Sequence, residues 1–254
     1  MHHNERELAQ KASMYDMLSN YYKYIDPQRH VMYYYQHLQC VNQLILLQNQ
    51  QMMGRYYRPD QNESPQQSYV RAFHASPNAP AVDIYVNDQK LLENVQYKQT
   101  SDYIPVMPGT YRIKITPTGQ SQEVLSQDVE VPSNAAITLA AAGNDENLTL
   151  VPYQDDRNPV QGEAKARFIH LSPDAPAVDI AVKGGDILFS NVNFKQSTEY
   201  KTLSPITVDL EVRPAGSNQV VLTIPNVKLD ENQIYNIVAV GYAQGSPKLE
   251  AIII

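Results

Sequence analysis

From residue 5 to about residue 53, apolar side chains recur every three or four positions. In "ERELAQKASMYDMLSNYYKYI", Leu8, Tyr15 and Tyr22 repeat every seven residues, with Leu18 and Ile25 between them. In "QRHVMYYYQHLQCVNQLILLQNQQMM", Val31, Leu38, Ile45 and Met52 form one seam, and Tyr34 and Val41 fill the intermediate positions. A mean spacing of 3.5 residues is the period of helices that pack side by side. Asp26-Pro27 separates the two runs, because the residue before proline disfavours helical backbone and aspartate can start the following helix. The pattern predicts an antiparallel helical hairpin over residues 1–55. Two such helices leave apolar surface for another copy, a partner or the rest of the chain. Residues 56–68, rich in Pro, Asn, Ser and Gln, read as a linker.

Beyond the linker the period changes from 3.5 to 2. "YVRAFHA", "VDIYV", "YRIKIT", "DVEV", "AITLAAA" and "LTLVPY" are short alternating or apolar runs separated by turn residues, and a matching series starts at residue 166. Strands at this density, with no long helix between them, predict a mainly β chain: two tandem immunoglobulin-like antiparallel β-sandwich domains, 69–157 and 158–254, behind the helical hairpin.

The second series repeats the first. At an offset of 96 residues "RAFHASPNAPAVDIYV" (71–86) meets "RFIHLSPDAPAVDIAV" (167–182), with eleven of sixteen positions identical. At an offset of 97, Lys98-Gln99 and Tyr103 meet Lys195-Gln196 and Tyr200. This is internal duplication, with its boundary near "YQDDRNPVQGEAK". Within the shared string Pro77 and Pro80, and their copies Pro173 and Pro176, fix φ and remove backbone donors, so the stretch connects strands rather than forming one. Ser76 and Ser172 can hold the turn through nearby amides. The motif reads as a rigid corner needed once per domain.

The same corner holds the chain's recurrent His–Asp combination, His74 with Asp83 and His170 with Asp179. A metal site needs three or four convergent ligands, and each copy supplies at most two. A serine nucleophile needs a base and an oxyanion hole, and Ser-Pro in a proline-bound turn is a poor setting for one. The structural reading is preferred: His bonds across the corner, and Asp takes a turn amide or pairs with Arg71 or Arg167. No Gly-rich phosphate loop, Cys-x-x-Cys or His-Glu-x-x-His occurs. The sequence therefore predicts no enzyme, no catalytic residue, no cofactor and no metal.

Charge narrows the partners. The net charge is −7, and residues 1–69 are balanced, so the acidic excess lies in the β repeats. Without a basic stripe, neither nucleic acid nor an anionic membrane surface is expected. No apolar run reaches the ~20 residues of a membrane span. "MHHNERELAQ" lacks the apolar core of a secretory signal, so the chain read as given starts in the cytoplasm. Cys40 is the single cysteine, and its place in an apolar helical pattern favours burial over an intermolecular disulfide. Ten of the eighteen tyrosines lie in the first 69 residues. They serve either as amphipathic packing on half-exposed helices or as an adhesive assembly surface.

"FHASPNAPAVDIYVND" with "YIPVMPGTYRIKI", and the copy "FIHLSPDAPAVDIAVKGG", resemble the bacterial family catalogued as domain of unknown function 4397. The likeness covers about residues 69–254 in two tandem copies. It implies exported β-rich domains on bacterial surfaces, and the family brings no established catalytic residues. This chain departs from that pattern in its missing export signal, its Tyr/Gln-rich helical front and the change of Pro108-Gly109 to Pro205-Ile206. The combined expectation is a structural or interaction protein: β-sandwich spacers with a helical segment for self-association or for docking another protein, in a spore coat or at a cell surface. The alternative is an adhesin-like module that binds carbohydrate or peptide through end loops such as "GNDEN" (143–147) and "GYAQGS" (241–246).

Overall fold

The computed structural model describes residues 2–53, 67–144 and 147–254, in two compact units, Met1–Ser64 and Pro65–Ile254. Most of the expected linker, residues 56–66, lies outside the described residues, as do Asp145 and Glu146 of the "GNDEN" loop.

The first unit contains α1 (His2–Tyr22) and α2 (Pro27–Met53). Asp26 Oδ1 accepts the amides of Gln28 and Arg29, both at 3.1 Å, so it caps α2 while Pro27 occupies the first helical position. The helices run antiparallel. His37 Nδ1 donates to the Ala12 carbonyl and His30 Nδ1 to the Ser19 carbonyl, each at 2.9 Å. Tyr33 stacks on Tyr15 and Tyr22, with centroids 6.3 and 5.6 Å apart.

The α1 contact positions Ala12, Tyr15, Ser19 and Tyr22 keep the 3.5-residue spacing. The α2 face that meets them carries His30, Tyr33 and His37, with Cys40 buried further along the helix. It is therefore not the expected Val31–Leu38 seam, and Val31 is left 44% exposed. Small Ala12 and Ser19 leave room for rings from α2, and each histidine gains an acceptor that an aliphatic side chain would leave unused. The side chains of Ile45 and Met52, the rest of that seam, lie outside the described ones. Met14, Met17 and Tyr21, also spaced by three and four, remain exposed on α1, and Tyr24 is exposed in the turn after it.

Among the described residues the second unit holds sixteen strands in two sandwich-like halves of eight. The first half contains β1 (Ser68–His74), β2 (Val82–Val86), β3 (Gln89–Val95), β4 (Ile104–Val106), β5 (Gly109–Pro117), β6 (Leu125–Val131), β7 (Ala136–Ala142) and β8 (Thr149–Gln154). The second contains β9 (Ala164–His170), β10 (Val178–Val182), β11 (Ile187–Val192), β12 (Lys201–Leu203), β13 (Ile206–Pro214), β14 (Leu222–Leu229), β15 (Ile234–Val240) and β16 (Glu250–Ile253). The sheet orders are β4-β1-β7-β8 with β3-β2-β5-β6, and β12-β9-β15-β16 with β11-β10-β13-β14. One topology is used twice.

One pairing departs from the antiparallel expectation. β1 runs parallel to β7 and β9 parallel to β15, each over six residue pairs. Parallel neighbours need a long crossover. Here the crossover comprises the intervening strands, which build the opposite sheet and return to the far edge of the first.

The two central strands also explain why their sequences do not alternate between polar and apolar. In β7, Ile137, Leu139 and Ala141 enter the core of the first sandwich, while Ala140 and Ala142 enter a different cluster with Phe73, Tyr153, Ile169, Leu171, Val238 and Val240. In β15, Ile237 and Ala239 belong to the core of the second sandwich, and Val238 and Val240 to that shared cluster. The β1 sheet and the β9 sheet therefore pack on each other through their outer faces, and each is covered on both sides. Ala140 is 0% exposed, and its small side chain lets the sheets approach. Replacing Ala140 with Leu is expected to cost about 1–3 kcal/mol by overpacking this layer, read as a lowered midpoint in urea unfolding of the full chain.

Candidate functional site

The two corners share the bonding of the histidine. His74 Nε2 donates to the Pro80 carbonyl at 3.0 Å, and His170 Nε2 to the Pro176 carbonyl at 3.1 Å. The imidazole thus crosses the bend and ties its start to its end. The peptide of each His is also bonded on both sides, to Gln99 and Lys98 in the first copy and to Gln196 and Lys195 in the second. Ser76 donates its hydroxyl to the Gly143 carbonyl at 2.8 Å. Ser172 lies 3.4 Å from Asp174, whose carboxylate accepts the amides of Ala243 and Gln244 in the "GYAQGS" loop. Pro77 is buried, Pro173 half-buried, and Pro80 and Pro176 exposed.

The aspartates have other partners. Asp83 accepts the Asn94 amide at 2.9 Å, the Thr118 hydroxyl at 3.0 Å and the Lys90 ammonium at 2.6 Å. Asp179 accepts the amides of Asn191 at 2.7 Å and Gly216 at 2.9 Å. Asn94 and Asn191 have φ of 55° and 52°, the left-handed region that asparagine tolerates better than most residues. Each aspartate therefore pins an irregularity in one neighbouring strand and the turn after the other. Burial alone would raise the Asp83 carboxyl, but the bonds from Lys90, Asn94 and Thr118 outweigh it and hold the group below its ordinary range. No bond joins His to Asp in either copy, so the recurrent combination is two separate fastenings. Among the described residues no three His, Cys, Asp or Glu side chains gather to hold a metal ion.

The side chains that the repeats place together lie at the junction. Asp155, just beyond β8, is buried with its side chain 1% exposed. Its Oδ2 accepts the hydroxyls of Thr138 and Tyr103, both at 2.6 Å, and its Oδ1 accepts Nη2 of Arg167 from the second repeat. Arg71 donates through Nε to Thr138 at 2.8 Å and lies 3.9 Å from the same carboxylate. Arg167 also donates to Asn236 Oδ1 at 2.7 Å and to the Gln154 carbonyl at 2.6 Å. Each arginine stacks over the tyrosine of its own repeat, Arg71 on Tyr103 and Arg167 on Tyr200, both at 4.7 Å.

Two outer contacts complete the arrangement. Tyr153 donates to the Lys195 carbonyl at 2.9 Å, and Lys98 donates to Glu250 at 3.0 Å, so each repeat's last strand meets the other's β-turn lysine. Corresponding residues of both repeats, Phe73 and Ile169, Ala140 and Val238, and Ala142 and Val240, enter the shared apolar cluster. Sequence reasoning missed Asp155. The available signal was an arginine at the same position in both copies of the strand, paired in register with Thr138 and Asn236.

Replacing Asp155 with Ala leaves Arg167 buried without its counter-charge. It is expected to cost about 3–5 kcal/mol, read by urea unfolding of the full chain. The histidines set a pH limit. Burial lowers both imidazoles below their ordinary value, and the Pro80 and Pro176 carbonyls only partly offset it. The unfolded chain, titrating near ~6.5, takes up protons first. The stability contribution of neutral imidazole is complete above that pH and is lost as pH falls through the folded-state values. The unfolding midpoint should therefore fall between about pH 7 and 5, and His170→Gln should flatten that slope.

Residues 68–181 match the family model described as domain of unknown function (DUF4397), spanning the first repeat and entering the second. No curated protein matches the chain. Solved structures with some likeness include the CBM26-family CBMbc of Eubacterium rectale in complex with maltoheptaose (8% identity, 74% of this chain and 96% of that one, TM-score 0.24). They also include the Bacillus anthracis TIE protein (12%, 72% and 34%, TM-score 0.23) and a proposed cell adhesion protein of Bacteroides fragilis (10%, 73% and 96%, TM-score 0.18). At that overlap the likeness says nothing of what this chain binds. Among the described residues no helix is long and apolar enough to cross a membrane.

Proposed function

We propose that this DUF4397-containing chain is a non-catalytic structural and interaction protein. Its β unit acts as a rigid spacer, and its helical hairpin supplies the surface for self-association. The observation that carries the spacer reading is the junction: two sheets buried against each other and a carboxylate that accepts bonds from both repeats. A hinge there would have to expose Phe73, Ile169 and Val238 and strip Arg167 of its partners. Polar groups that are this well partnered favour one arrangement over loose alternatives. A place in an assembled bacterial layer, a spore coat or a cell surface, belongs to the same proposal and draws on the family resemblance.

The hairpin's part rests on the second stripe of α1. Met14, Met17 and Tyr21 are exposed at coiled-coil spacing, Met17 by 68%, and Tyr24 in the following turn is 89% exposed. A stripe of that period fits the face of another helix, which a second copy of this hairpin provides. The full chain is expected to run as a dimer or larger assembly in size-exclusion chromatography with light scattering. Combined Met14→Glu, Met17→Glu and Tyr21→Glu substitutions should convert it to a monomer. A wild-type chain that stays monomeric at high concentration overturns the self-association reading.

A further inference from the structure

Inward-facing positions of the two sandwiches correspond strand by strand, and at two of them the second repeat carries a phenylalanine where the first carries a smaller side chain. Ala72 of β1 stands where β9 carries Phe168, as the offset that aligns His74 with His170 shows. Leu92 stands where β11 carries Phe189, since Ile84 pairs with Leu92 as Ile180 pairs with Phe189. Phe168 is 0% and Phe189 4% exposed, so in the second repeat both rings fill the core. In the first repeat Val70, Tyr111 and Leu150 exceed their counterparts Ala166, Val208 and Ala251, which returns part of the missing volume at other points. A cavity of about 70 Å³ remains, lined by Ala72, His74, Ile84, Leu92, Ile113 and Leu139 with further apolar neighbours.

The polar groups around this space are accounted for except one. The Tyr111 hydroxyl donates to the Met107 carbonyl at 2.7 Å. His74 commits its Nε2–H to Pro80, so its Nδ1 carries a lone pair, and that atom is buried with no hydrogen-bond partner. In the second repeat the matching nitrogen of His170 accepts the Ser172 amide at 3.2 Å. The bond from His Nε2 to the second proline of the bend is common to both corners. The first repeat thus combines an unfilled apolar space with an unused acceptor, and an unmet buried acceptor is costly.

We infer that the core of the first sandwich is a binding site for a small neutral apolar molecule with one hydrogen-bond donor, of the class of phenol or a short alcohol. At ~10–15 Å³ for each water-sized element, the cavity takes on the order of five to seven heavy atoms. Apolar cavities of this kind stay dry and accept small apolar guests. The donor of the guest meets His74 Nδ1, and its body replaces the contacts that Phe168 and Phe189 make in the other repeat.

The test uses the full chain and two probes, phenol and benzene. Phenol should bind saturably at one site in calorimetry. It should shift NMR signals of the first sandwich and the Nδ1 nitrogen of His74, while leaving the second sandwich unmoved. Benzene, equal in shape but without a donor, should bind several-fold more weakly. Ala72→Leu and, separately, Leu92→Phe fill the space as the second repeat does, and each should weaken phenol at least tenfold. The two variants guard against one of them failing to fold. Non-saturable phenol uptake, or binding that persists in a folded filled variant, overturns the site. Equal affinity for benzene overturns the role of His74 and with it the donor requirement.

Discussion

Asp155 accepts hydroxyls from its own repeat and a guanidinium from the other, in a setting from which water is nearly absent. A buried carboxylate is tolerable only when its oxygens are occupied, so the positions of Thr138, Tyr103 and Arg167 are constrained together. Those residues sit on β7, on the approach to β4 and on β9, and fixing them fixes one sheet against the other. The apolar layer around Phe73, Ile169, Val238 and Val240 then supplies most of the favourable burial, while the charged cluster determines register. The layer gives adhesion without direction; the carboxylate gives direction.

The same duplication has been used in two ways. At the corners the copies keep the histidine bonded across the bend, and at the Asp83 and Asp179 pins they keep the carboxylate and its bond to an asparagine amide, because each sandwich needs its own bend and its own fastening of neighbouring strands. At the junction the copies meet face to face, and Asp155 is a contribution of the connecting segment that neither repeat motif contains. Inside the sandwiches the copies have diverged, Ala72 against Phe168 and Leu92 against Phe189. At the junction the arginine and tyrosine of each copy are kept, Arg71 with Arg167 and Tyr103 with Tyr200, while the apolar layer sets Phe73 and Ala140 against Ile169 and Val238.

The helical unit follows a different logic. Its internal contact uses tyrosine stacking and histidine-to-carbonyl bonds around small residues, leaving Met14, Met17, Val31 and Met32 exposed. An apolar stripe that folding does not consume remains for association, and the tyrosines divide between the two tasks. Tyr15, Tyr22 and Tyr33 pack within the hairpin, whereas Tyr21 and Tyr24 stay open to solvent.

The amino-acid order alone determined the helical and strand periods, the Asp26-Pro27 break, the duplication and the two proline-stiffened bends. Those features depend on near neighbours: a ring that fixes φ, a side chain that caps its own helix, an alternation of faces. Tertiary structure decided which face of α2 meets α1, the parallel pairing of β1 with β7, and the partnership of Arg71 and Arg167 with the carboxylate of Asp155. It also decided that "AITLAAA" is covered on two sides and that Ala72 leaves space where Phe168 fills it. Each of these depends on what lies across a gap of many residues, and the one-dimensional pattern records how apolar a position is without recording what volume or charge stands opposite.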